Sequence, residues 1–211
     1  MKIFNKIYDK SLNILGDIKV VKYPFWFVYD PDGFDVSGQD MRDVISILQE
    51  GDILLRFYNK YLDGKFIKGV FSHAAYYIGK DTIVHAVAEG VLKEDILEFL
   101  RCDGIAVMRF KKITKTDIRK ASTTARKLIG KKYDFEFETD DDEFYCTEAV
   151  KEMYKHKSDE LGVMMEEVKM LGGLLKRHVI IPDSFYQSPA LDCIFINERA
   201  SRKVKKKIGK S

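Results

Sequence analysis

Ser72-His73-Ala74-Ala75-Tyr76-Tyr77-Ile78-Gly79-Lys80-Asp81-Thr82-Ile83-Val84-His85-Ala86 is the stretch on which both fold and chemistry turn. Two β-rich runs, 72–79 and 82–87, flank Gly79-Lys80-Asp81, the composition of a hairpin. The parity of the connection decides what the hairpin can do. A loop of two or four residues pairs His85 with Tyr76 and puts His73 on the opposite face. A three-residue loop, 79–81, pairs His85 with Ala75 and makes His73 its diagonal neighbour on one face, with Cα atoms about 7–8 Å apart. Three-residue loops carrying a glycine are common, so the hairpin can align two imidazoles.

A base needs a nucleophile. Phe144-Tyr145-Cys146-Thr147-Glu148-Ala149-Val150 opens a helical pattern, with Ala149, Val150, Met153 and Tyr154 on its inward face. Cys146 shares that face in the first turn, where unpaired N–H groups and the helix dipole favour a thiolate. By itself such a cysteine is ordinarily a small buried apolar residue. A lone strand histidine is likewise usually structural. The three together form the set that nucleophilic catalysis requires: a thiol, an imidazole to deprotonate it, and a second polar group to fix the imidazole. His156 lies between lysines and His178 follows Lys176-Arg177, so both read as solvated.

The rest of the chain reads as an antiparallel sheet packed against helices on one face, an α+β fold without βαβ alternation. Helices are expected at 39–49, 95–100, 116–130 and, interrupted by Gly172-Gly173, at 161–176. Strands are expected at 52–58, 105–110, 179–181 and 193–196. Thr114 or Thr116 caps the third helix. Ile3, Phe4, Ile7, Tyr8, Leu12 and Leu15 mark a short amphipathic helix. Tyr23-Pro24-Phe25-Trp26-Phe27-Val28-Tyr29 is an aromatic run that reads as core, or as the wall of an apolar pocket with Trp26 facing substrate.

The 211 residues, 45% apolar and 33% charged, suit one soluble domain. Its extent is 1–198, with 1–48 as a helical and aromatic extension. Residues 199–211 hold seven Lys/Arg and no acid, which leaves the body at about −4 from a total of +3. That tail is expected to be a disordered basic end. It could touch anionic lipid weakly, but no base-reading fold accompanies it and no nucleic-acid partner is expected. The acidic run 138–143 reads as a solvated loop, or as a rim for amine-bearing substrates. Its charge also opposes thiolate formation at Cys146. Three cysteines without a CxxC pair argue against zinc or a disulfide framework, so no metal or cofactor is expected. No secretory signal or transmembrane span is visible, and a cytoplasmic location is the expectation.

Gly51-Asp52-Ile53-Leu54-Leu55, Ser72 to Gly79, Val84-His85-Ala86 and Tyr145 to Val150 occur in that order. They resemble the permuted papain-like hydrolases of the YaeF/YiiX group, within the NlpC/P60 superfamily. Tyr133-Asp134-Phe135, Ile181-Pro182-Asp183 and Ser188-Pro189 add to the likeness, which spans about 50–196. The resemblance implies a circularly permuted papain-like fold, with Cys146 as nucleophile, His73 as base and His85 at the third polar position. Tyr145, Glu148 and Tyr133 would line the substrate site. Many relatives have Glu at the third position. Two histidines at this spacing resemble the lecithin:retinol acyltransferase-like branch instead. The expected activity is therefore a cysteine hydrolase cleaving a peptide, γ-glutamyl or cell-wall amide. A lipid acyl hydrolase or acyltransferase and a non-catalytic binding module are the alternatives.

Overall fold

The computed structural model describes residues 18–20, 27–29, 34–58, 69–134, 143–170 and 175–207. Strands β1 (Ile18–Val20) and β2 (Phe27–Tyr29) form a small antiparallel pair. Helix α1 (Gly38–Ile47) follows, then β3 (Ile53–Phe57), β4 (His73–Gly79), β5 (Thr82–Val87) and β6 (Gly90–Asp95). Next come α2 (Ile96–Phe99), β7 (Gly104–Phe110), α3 (Lys115–Leu128), α4 (Cys146–Met153) and α5 (Ser158–Leu161). The chain continues through β8 (Met165–Met170), β9 (Leu175–Ile180), α6 (Pro182–Gln187), β10 (Leu191–Ile196) and α7 (Glu198–Lys207).

Six strands form one antiparallel sheet in the order β10-β7-β3-β4-β5-β6. Period-two alternation sends its side chains to two separate cores. Ile53, Leu55, Ala74, Tyr76, Val84, Ala86, Ala106 and Met108 meet Ala121 and Ala125 of α3 and Ala149, Val150 and Met153 of α4. Leu54, Ala75, Tyr77, Ile83, Ile105 and Val107 meet Val44 of α1 and Ile96 and Phe99 of α2. The α+β class and antiparallel sheet expected from the sequence are present, with helices on both faces rather than one. Helices α1 and α3 each begin on a reciprocal cap, Ser37 with Asp40 and Thr114 with Asp117.

Three expectations change. The stretch 161–176 is not a long helix: a short helical turn, α5, is followed by the antiparallel pair β8–β9, with Met165 opposite Ile180 and Met170 opposite Leu175. Gly172-Gly173, between these strands in the sequence, lies outside the described residues. Strand β6 carries an apolar residue and a charged residue on each face, Val91 with Lys93 and Asp95 on one and Leu92 with Glu94 on the other, and no local pattern marks it as a strand. The basic end is not wholly disordered, because α7 runs to Lys207. Its two small apolar residues, Ala200 and Val204, are buried one helical turn apart in the sheet core, and Lys203 lies over the Phe57 ring at 3.9 Å. Such a helix is too polar to form alone and is stabilised by the surface it covers. The expected helix at 3–15, Trp26 and most of the acidic run 138–143 lie outside the described residues.

Candidate active site

The β4–β5 hairpin closes by an even turn with an odd result. Lys80 (φ 52°) and Asp81 (φ 55°) are both left-handed, the conformation of a two-residue turn that suits the strand twist. A turn of two would separate the histidines. The register, however, shifts between Tyr77↔Ile83 and Gly79↔Thr82, so Ile78 is an extra residue on β4. This bulge restores the alignment a three-residue loop would give. His73 Nε2 and His85 Nδ1 lie 3.0 Å apart, their rings nearly perpendicular at 79°.

Both rings pack near Phe99, at 6.0 and 5.9 Å between centroids. Arg56 stacks over the same ring at 4.2 Å and donates to the Phe99 carbonyl at 3.1 Å. Burial, the Arg56 charge and then His85 hold His73 well below the usual imidazole range. Burial and Arg56 push His85 down to about 3. The pair is therefore neutral at physiological pH, and one of the two nitrogens in contact carries the shared hydrogen.

Cys146 begins α4, which packs on β4 and β5 from the Ala74–Tyr76 side. The β4–β5 pairs stop at Tyr76↔Val84, while His73 and Ala74 still pair with β3. At that opening the Cys146 thiol lies beside the Ala74 N–H, one residue from His73. Backbone N–H groups of Ala74, Thr147 and Cys146, with the Arg56 charge, favour the thiolate. Burial outweighs them and raises the thiol above its ordinary value. The helix start thus pulls as expected, but the net shift is upward.

Tyr145, the N-cap residue, is buried against Val179 and Ile181, and its hydroxyl accepts from the Ile180 N–H at 3.1 Å. Tyr133 packs partly buried on the same cluster. Both belong to this small apolar cluster beside the start of α4. Glu148 is half-buried in the first turn of α4; burial and the neighbouring Asp134 charge push its carboxyl up to about 7, and the Tyr145 N–H opposes that. Glu89 sits in the turn between β5 and β6.

Two residues that complete the imidazole row, Arg56 and Glu94, had not been read as site residues. Arg56 shares the inward parity of Leu54 in β3, and a charge at that parity was the available signal. Among the described residues no group of three or more His, Cys, Asp or Glu is placed to hold a metal ion. No helix among them is long and apolar enough to cross a membrane.

The antiparallel sheet, with the histidine strands before the Cys146 helix in the chain, has the order of a permuted papain-like fold. Residues 47–195 match the family model of the permuted papain-like amidase enzymes YaeF/YiiX, C92 family, and the chain belongs to that family. No curated protein matches it. Among solved structures it is similar to the metalloprotein YiiX from Escherichia coli O157:H7, at 19% identity and a TM-score of 0.61. That likeness covers 71% of this chain and 97% of the other, and shows the shared fold.

Proposed function

We propose that this chain is a cysteine hydrolase of amide bonds, with Cys146 as nucleophile, His73 as base and His85 as the group that orients it. The observation that carries the reading is the 3.0 Å contact between His73 Nε2 and His85 Nδ1. It occupies one nitrogen of His73 and leaves Nδ1 for a thiol that lies beside the next residue, Ala74. Family membership supports the amide class.

In the first step the Cys146 S–H proton passes to His73 Nδ1 while sulfur bonds to the amide carbonyl carbon. The carbonyl oxygen takes the electron pair, and the Cys146 N–H is a donor for it. Collapse breaks the C–N bond, and the amine leaves with the proton from the imidazolium. Water then attacks the thioester, with His73 taking its proton, and releases the acid and the free thiol. Although the similar YiiX structure is that of a metalloprotein, the donors for an ion are not assembled among the described residues here. No step is routed through a metal.

Brief iodoacetamide treatment at neutral pH tests the reading. Cys193 is exposed and Cys102 fully buried, so accessibility alone predicts that Cys193 is labelled first. Burial pushes these two thiols to about 11 and about 12, respectively. Preferential labelling of Cys146, lost in His73→Ala, is the expected result. Equal slow labelling of all three would overturn it in favour of a binding module. Turnover of peptidoglycan fragments against phospholipid vesicles then separates amide from lipid acyl substrates.

A further inference from the structure

The imidazole pair is the middle of a longer row. Arg56 stands opposite His73 across β3 and β4. On the far side, His85 is opposite Leu92 and Ile83 opposite Glu94, so Glu94 is the diagonal same-face neighbour of His85. His85 Nε2 lies 3.8 Å from Glu94 Oε2, and Arg56 NH1 lies 3.7 Å from that same oxygen. His85 Nε2, Glu94 Oε2 and Arg56 Nε are all buried with no hydrogen-bond partner among the described residues. Buried polar atoms are nearly always partnered, so an orphaned imidazole nitrogen 3.8 Å from an orphaned carboxylate oxygen marks a contact that closes by a small rotation or through one water.

Resting on the catalytic reading above, we propose that Glu94 is a positioning residue that sets the tautomer of both histidines and so leaves His73 Nδ1 bare for the Cys146 proton. A carboxylate only accepts, so the nitrogen facing it, His85 Nε2, carries the hydrogen. His85 Nδ1 is then an acceptor, and the 3.0 Å contact is donated by His73 Nε2. His73 Nδ1 has no hydrogen left and is a base. Run the other way, His85 Nδ1 donates to His73, and His73 Nδ1 carries the hydrogen and cannot take one. The 3.0 Å contact by itself permits both directions; an acceptor at the far end selects one.

Arg56 keeps that acceptor in place. Burial raises the Glu94 carboxyl, as do the Glu98 and Asp95 charges, while Arg56 opposes them. The same cation discourages protonation of either imidazole. It also fixes what a glutamine would do at position 94. An amide NH2 placed at Oε2 would face a guanidinium, so the carbonyl turns there and still accepts from His85.

The test is a long-range 15N–1H NMR correlation of the histidine ring nitrogens in the full chain, with Cys146 alkylation measured on the same samples. In the unmutated protein both His73 and His85 are expected as the Nε2–H form. In Glu94→Leu the two rings lose that preference, and Cys146 alkylation falls roughly tenfold or more, the scale of losing a carboxylate that orients a histidine. Glu94→Gln retains both properties. A hydrogen on His73 Nδ1 in the unmutated protein, tautomers unchanged by Glu94→Leu, or Glu94→Gln behaving as Glu94→Leu would each overturn the proposal. The unmutated spectrum decides even if Glu94→Leu does not fold. Tautomers that shift as stated while Cys146 stays inert would sink the catalytic reading and leave the hold of Glu94 on the imidazoles standing.

Discussion

On one face of the sheet, Arg56, His73, His85 and Glu94 stand in a row around Phe99; against the other face, Cys146 and Glu148 occupy the first turn of α4 near Asp134. Both regions are largely removed from water, and desolvation is the largest influence in each. Its consequence differs with the sign of the charge being suppressed. In the histidine row it strips protons, giving two neutral imidazoles. At the helix start it retains them, on the Cys146 thiol and, up to about 7, on Glu148. The Cys146 thiol and the two imidazoles are therefore all uncharged near neutral pH. On the catalytic reading proposed above, proton transfer from Cys146 to His73 belongs to the reaction step.

Removing either side should show this division most strongly. Cys146→Ala is expected to abolish amide turnover, a loss of about 10³-fold or more, with little change in melting temperature. His73→Ala should cost about 10²–10⁴-fold in turnover, the usual range for a general base. If His73→Ala instead left alkylation of Cys146 unaltered, the two regions would be chemically independent.

The support of the histidine row is the next target. Asp183, at the start of α6, accepts from the Val70 N–H at 2.7 and 2.9 Å and from the Phe71 N–H at 2.8 Å, fixing the chain that enters β4. Gly69 (φ +127°) is what permits the approach, since a Cβ there would sit 2.7 Å from Asp183 Cγ. Asp183→Ala strands two buried N–H groups, each costing about 1–3 kcal/mol. Chemical denaturation should record roughly 2–5 kcal/mol of destabilisation, and a change under about 0.5 kcal/mol would mean the loop is held otherwise.

The helix-start motif and the histidine hairpin were legible from sequence because each depends on local periodicity. The alignment of His73 with His85 follows from parity alone, although the means, an even turn plus a bulge at Ile78, does not. Glu94 was not legible for a physical reason: Gly90–Asp95 has charged residues on both faces, no apolar alternation, and becomes a strand only when paired with β5. The helix α7 depends on the sheet in the same way, through Ala200 and Val204. Met165–Met170 was misread because its apolar residues fit helical spacing as well as they fit β alternation. Local pattern gives Cys146 and the two histidines; the contributions of Arg56 and Glu94 to the row depend on tertiary pairing.

Acid pH should lower stability through the histidine row, while protonation of Glu148 near pH 7 acts in the opposite sense. Both histidines titrate below their ordinary range, so between that range and their folded values the unfolded chain binds protons the native state refuses. Stability is then full above about pH 6.5 and falls as pH decreases. At pH 5.5 the buried His85, with its value pushed down to about 3, costs roughly 1.4 kcal/mol, and His73 acts in the same direction. His85→Gln should flatten part of that acid slope in denaturation midpoints measured from pH 7.5 to 5. A slope identical to that of the unmutated protein would show that His85 is not the neutral buried group described here.

The smallest effect is expected at the helix start. Glu148 is half-exposed, so solvent screens its charge, and its carboxyl still loses its proton near pH 7. Above that pH a negative charge appears in the same helical turn as Cys146, where it disfavours the thiolate. Glu148→Gln keeps an oxygen that can accept from the Tyr145 N–H and removes this charge. Alkylation of Cys146 above pH 7 should then rise, by about two- to fivefold for a shift of a few tenths of a pKa unit, and below pH 6 the two proteins should coincide. The separation of the curves, rather than their height, carries the information. Curves displaced equally at every pH would trace the effect to packing of α4, and curves that part only above pH 7 trace it to the carboxylate.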